Sequence, residues 1–183
     1  LVVGGITGAG GIIDNDPPVD GDENNTVIED TTLTVVDGAT GDLLNNAIGA
    51  GGSTLTVASY TIAGIAGTQA VGAPVLIAGV GTVTINANGS YSFAPVANYT
   101  GAIPVITYTV SDGNGGTDTS TLTLSMTAVN DAPVDGNETN TVIEDTTLTV
   151  VDGAAGDLLN NATDVDGNPL TVASYTIAGI AGT

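Results

Sequence analysis

Gly81-Thr82-Val83-Thr84-Ile85-Asn86-Ala87-Asn88-Gly89-Ser90-Tyr91-Ser92-Phe93 decides the fold. Apolar and polar residues alternate on both sides of Asn88-Gly89, which is the period of a half-buried β-strand. Asn-Gly between two such runs predicts a two-residue hairpin, with both turn positions at positive φ. Four more runs share this character: 31–36, 55–62, 103–110 and 117–126 are all rich in Val, Ile, Thr or Tyr. Asp112-Gly113-Asn114-Gly115-Gly116 reads as a longer glycine-rich turn, and only 41–47 suggests a single helical turn. Short strands with regular turns and no helical periodicity predict an all-β, antiparallel β-sandwich. Tyr91, Phe93, Tyr99 and Tyr108 fall at strand positions that suit core packing.

The sandwich is repeated. Thr26-Val27-Ile28-Glu29-Asp30-Thr31-Thr32-Leu33-Thr34-Val35-Val36-Asp37-Gly38 returns unchanged from Thr141 to Gly153, a period of 115 residues. Residues 1–14 form an apolar, glycine-rich leader, 15–129 a complete copy, and 130–183 the front half of a second. Near-identical copies of a domain-sized unit point to a tandem array, each copy a link in a chain. The leader, 1–13, suits one extended strand that closes a sandwich, either of a preceding repeat or of a neighbouring subunit's 130–183.

Composition narrows the function. The chain has 20 Asp and Glu and no Lys, Arg, His, Cys or Trp, for a net charge of −20. No side-chain ion pair can form, so each carboxylate must face water, accept hydrogen bonds or hold an added cation. Nucleic acid is excluded as a partner because phosphate binding needs Lys or Arg, and no apolar run is long enough for a membrane helix. Without His, Cys or Lys the usual nucleophile–base pairs are unavailable, so a non-catalytic protein is expected. The hydrophobic fraction of 42% rules against disorder.

No acid occurs between Asp42 and Asp112; the carboxylates gather at 14–42 and 112–166, the ends of the repeat. Asp164-Val165-Asp166-Gly167-Asn168 has the alternating spacing that hard cations use, with a glycine for the tight turn. Asn130-Asp131-Ala132-Pro133 places another acid in a short, stiff linker.

Ala162-Thr163-Asp164-Val165-Asp166 followed by Ser174-Tyr175-Thr176-Ile177 resembles the loop segment of cadherin repeats, and Val129-Asn130-Asp131-Ala132-Pro133 resembles their linker. The string from Asn88 to Gly116 is similar to the bacterial cadherin-like and VCBS-type repeats of large surface adhesins. The resemblance implies Ig-like extracellular spacers, stiffened by Ca²⁺ at repeat junctions and exported by type I secretion. It implies Glu29 as the early-strand ligand, Asn130 and Asp131 as linker ligands, and Asp164 and Asp166 as loop ligands. Ala128 stands where the cadherin linker has its first Asp, so one or two ions per junction are expected rather than three. In copy 1, Gly49 and Gly51 align with Asp164 and Asp166, and loss of the loop half of the site is expected there. The partners implied are neighbouring repeats of the same or an identical chain. The alternative is a homopolymer, the subunit of an extracellular filament, sheath or surface layer built by strand complementation.

Overall fold

The computed structural model describes residues 16–178 and divides the chain into two compact units, Leu1–Ala128 and Val129–Thr183. The leader strand expected over 1–13 lies outside the described residues.

Unit 1 is a two-sheet sandwich of eight strands: β1 (Glu23–Ile28), β2 (Leu33–Val35), β3 (Thr56–Ile62), β4 (Val75–Ile77), β5 (Gly81–Ile85), β6 (Tyr91–Pro95), β7 (Ile106–Ser111) and β8 (Thr117–Thr127). One sheet has the order β1-β8-β7-β3 and the other β2-β6-β5-β4. Every pairing is antiparallel except β1 with β8, which run parallel from Glu23 opposite Leu122 to Ile28 opposite Thr127. Inward positions alternate along each strand and meet between the sheets. Val27, Val57, Tyr60, Val83, Ile85, Tyr91, Phe93, Ile106, Tyr108, Val110 and Leu122 are buried there, and their removal from water is the main force closing the sandwich. Tyr99 is only partly buried and packs at the edge of this core.

Several local expectations change. Residues 23–28 form a strand that the alternation rule passes over, because Glu23 and Asn25 point inward with Val27. The run from 31 begins with a turn instead: Asp30 has φ 57° and the Thr31 N–H donates to the Ile28 carbonyl. The β5–β6 hairpin is not a two-residue turn. Its loop is closed by Gly89 N–H to Asn86 O and Asn86 N–H to Ser90 O, and of the pair only Gly89 has positive φ, 88°. That is a type I turn followed by a left-handed glycine, the three-residue solution to the same twist problem. Segment 41–47 is a chain of turns rather than a helical turn, with Asn45 bonded back to Asp42 and Ala47 to Leu44.

Unit 2 repeats the turn scaffold of copy 1 bond for bond. Asn25 Nδ2 to Gly41 O becomes Asn140 Nδ2 to Gly156 O, and Gly21 N–H to Asn46 Oδ1 becomes Gly136 N–H to Asn161 Oδ1. The bridge Val19–Ile48 becomes Val134–Thr163. Among its described residues no strand forms, and Val142, Leu158, Val172, Tyr175 and Ile177 are exposed where Val27, Leu43, Val57, Tyr60 and Ile62 are buried. Local side-chain-to-backbone bonds hold the turns; the ladders depend on the second half of the sandwich.

Candidate metal centre

In unit 2 the linker and the acid loop come together. The Asp131 N–H donates to Asp166 Oδ2 at 2.7 Å, and Asn168 Nδ2 donates to Asn130 Oδ1 at 3.0 Å. The loop is wound around Asp164, whose Oδ1 accepts the N–H of Asp166 at 2.9 Å and of Asn168 at 3.2 Å. Gly167, at φ 73°, makes the turn possible. Four of the five residues expected to bind a cation, Asn130, Asp131, Asp164 and Asp166, thus share one surface. The fifth, Glu29, belongs to unit 1. It is 2% exposed at the end of β1, and its N–H donates to Thr127 O at 2.9 Å, beside the last residue of β8.

A residue that the sequence reading takes only as part of a hairpin turn repeats the Asp164 geometry in copy 1. Asp112, between β7 and β8, accepts the N–H of Asn114 at 2.8 Å and of Gly116 at 2.9 Å on Oδ1. Both loops therefore use one carboxylate oxygen for the amides two and four residues on. Asp112 is 5% exposed, and its Oδ2 is buried with no hydrogen-bond partner. A β-carbon on Gly116 would lie 2.5 Å from that oxygen and 3.0 Å from the Asp16 carbonyl oxygen. Glycine there lets the Asp16-Pro17 backbone close over the carboxylate. The signal was present in Asp112-Gly-Asn-Gly-Gly, an acid opening a turn whose amides fold back upon it.

The 47–53 loop of copy 1 offers no side-chain oxygen from Gly49 or Gly51. It is a tight 3₁₀ turn, Ala50–Gly52, with Ser53 Oγ bonded to Ala50 O at 2.8 Å. A β-carbon on Gly49 would meet the Ser53 carbonyl oxygen at 2.9 Å, so this loop is shaped around glycine.

Not every carboxylate sits at an end. Glu23 and Asp42 are buried between the sheets, with Glu23 Oε1 accepting from Asn46 Nδ2 at 2.6 Å and Asp42 Oδ2 from the Gly38 N–H at 2.7 Å. Asp20 packs beside Tyr108 and Ser120, and its N–H donates to Asp118 Oδ2. Burial raises the Asp20 and Glu23 carboxyls above their ordinary range, and the charge of Asp20 adds to the rise at Glu23. Burial also pushes the Tyr91 hydroxyl up to about 12 and raises that of Tyr108.

With no His or Cys in the chain, its side chains offer a metal only oxygen. That donor set, with the orphaned buried Oδ2 of Asp112, fits a hard cation such as Ca²⁺ and no thiophilic metal. Among the described residues no three acids converge closely enough to form a complete cage by themselves.

Comparison with known proteins identifies the unit. No curated protein matches the sequence. Among solved structures, a nucleoside hydrolase-related hypothetical protein from Saccharophagus degradans, associated with carbohydrate metabolism, aligns at 12% identity and a TM-score of 0.40. The alignment covers 62% of this chain and 26% of that one. Residues 15–128 match the bacterial cadherin-like domain, more than half of the chain and the whole of the described sandwich, and the chain belongs to that family.

Proposed function

We propose that this chain is a non-catalytic extracellular spacer, a repeat of a large bacterial surface adhesin stiffened by calcium at the ends of each copy. Membership of the cadherin-like family supports a structural or adhesion-type repeat, and domains of this family are typically extracellular. The observation that carries the calcium reading is the pair of matched acid loops, Asp112 in copy 1 and Asp164 in copy 2. In copy 1 the cation would be held at the front by Asp112 with the Asp16 carbonyl, and Glu29 would serve the opposite end. In copy 2 the front ligands would be Asn130, Asp131, Asp164 and Asp166. Bound calcium supplies positive charge to a protein that has none in its side chains, and ties linker to loop.

The test is titration calorimetry at physiological salt on the chain and on its Asp112→Asn and Asp164→Asn variants. Wild type should bind at least two Ca²⁺, and each variant should lose one site. Absence of any calcium heat from the wild type would overturn the reading.

A further inference from the structure

The outer face of the β1-β8-β7-β3 sheet is almost wholly hydroxyl. Along β8 the outward positions are Thr117, Thr119, Thr121, Thr123, Ser125 and Thr127. Register extends the rows sideways: Thr61, Thr107 and Thr121 lie abreast, as do Ser59, Thr109 and Thr119, and Thr56, Ser111 and Thr117. On the other flank Asn24 faces Thr123 and Thr26 faces Ser125, whose hydroxyls are 3.2 Å apart. Threonine's β-propensity explains each position singly. It does not explain why no outward position of these four strands carries a charge on a chain with 20 acids. The one acid at the rim is Asp22, whose Oδ1 accepts the Thr121 N–H. Copy 2 removes it, with Asn137 at that position and Thr139 in place of Asn24, while Thr141, Thr171, Ser174 and Thr176 are kept.

Two copies of this chain cannot form salt bridges with each other, and any approach that brings their carboxylates together is repulsive. This sheet face is the widest surface on which they can meet without that penalty, and threonine offers it both methyl and hydroxyl. We propose that it is a lateral contact face for the same face of a second copy of the chain, sheet against sheet. Four strands about 4.8 Å apart and six residues long cover roughly 400 Å² per partner, about half of a standard stable interface. One repeat therefore binds its neighbour weakly, and tandem repeats lying alongside each other multiply the effect.

The chain has no cysteine, so a single introduced thiol reports the contact. Thr119→Cys, at the centre of the face, and Thr82→Cys, on the outer face of the other sheet, are oxidised mildly at about 0.2 mM in 0.5 M salt, where the Debye length is under about 8 Å. The expected result is at least tenfold more disulfide dimer from Thr119→Cys. Adding Thr109→Glu should abolish that excess and the concentration-dependent rise in sedimentation coefficient of the cysteine-free chain. Equal dimer yields at the two positions would overturn the proposal. So would an unchanged sedimentation profile in the Thr109→Glu chain, or sugar masses on these threonines in protein from its native source.

Discussion

Replacing Gly116 by alanine tests the architecture at the front of copy 1. The added β-carbon would lie 2.5 Å from Asp112 Oδ2, 3.0 Å from the Asp16 carbonyl oxygen and 3.0 Å from the Pro17 α-carbon. All three lie within van der Waals distance, and two are backbone, so either the carboxylate swings out or the 16–17 segment lifts. Overpacking of this kind costs about 1–3 kcal/mol. If the carboxylate moves, the bonds from Asn114 and Gly116 to Oδ1 weaken too, and hydrogen bonds to a charged acceptor are worth about 1.5–3 kcal/mol each. A loss of about 2–4 kcal/mol in chelator is expected, read from urea denaturation of the first unit. With calcium at a hundred times its dissociation constant, loss of the site should add about 2.7 kcal/mol. Gly113→Ala separates sterics from backbone strain, since Gly113 has φ 72° and nothing near its missing β-carbon. A Gly116→Ala chain within about 0.5 kcal/mol of wild type in chelator, below the overpacking range, would refute the reasoning.

Phe93→Ala removes the largest side chain from the fully buried centre of β6 and should destabilise the first unit by about 3–5 kcal/mol in denaturant melts. The pH dependence should run opposite to the usual acid denaturation. Asp20 and Glu23 have carboxyls raised in the folded state, so the stability they contribute is fully present below their unfolded values, 3.8 and 4.5, and is lost as pH rises through the folded values. Thermal melts across a pH series should show the wild type gaining stability on acidification from neutral, and Asp20→Asn with Glu23→Gln should flatten that gain.

The strands at 55–62, 81–85 and 117–126 were legible because their inward residues are apolar and their outward ones threonine or serine, so the alternation is clean. β1 was not legible, because Glu23 and Asn25 occupy inward positions and are satisfied by Asn46 and Tyr91, partners far off in sequence. β4, Val75–Ile77, is only three residues long, too short to show a period. At the site, Asp164 and Asp166 stood out by spacing and Asn130 and Asp131 by the linker, and the structure brings those four together. Asp112 was hidden because its ligand-like surroundings come from Asp16 and Pro17, almost a hundred residues earlier. Its exposure cannot be judged without knowing that β7, β8 and the entering chain meet there. The acids between the sheets were missed for a related reason: side-chain amides and turn N–H groups do the work that cations do elsewhere.

The parallel pairing of β1 with β8 bears on how the molecule responds to being pulled. The chain enters at the start of β1 and leaves at the end of β8, and these two strands lie side by side over six residue pairs. Tension applied through the two ends drags them past each other along their length, so the bonds between them are loaded in shear and must rupture nearly together. An antiparallel pair at the same place would open like a zipper, one bond at a time. A tether between a cell and a surface experiences force in this direction, and the topology places the first unit's strongest resistance across the line of pull.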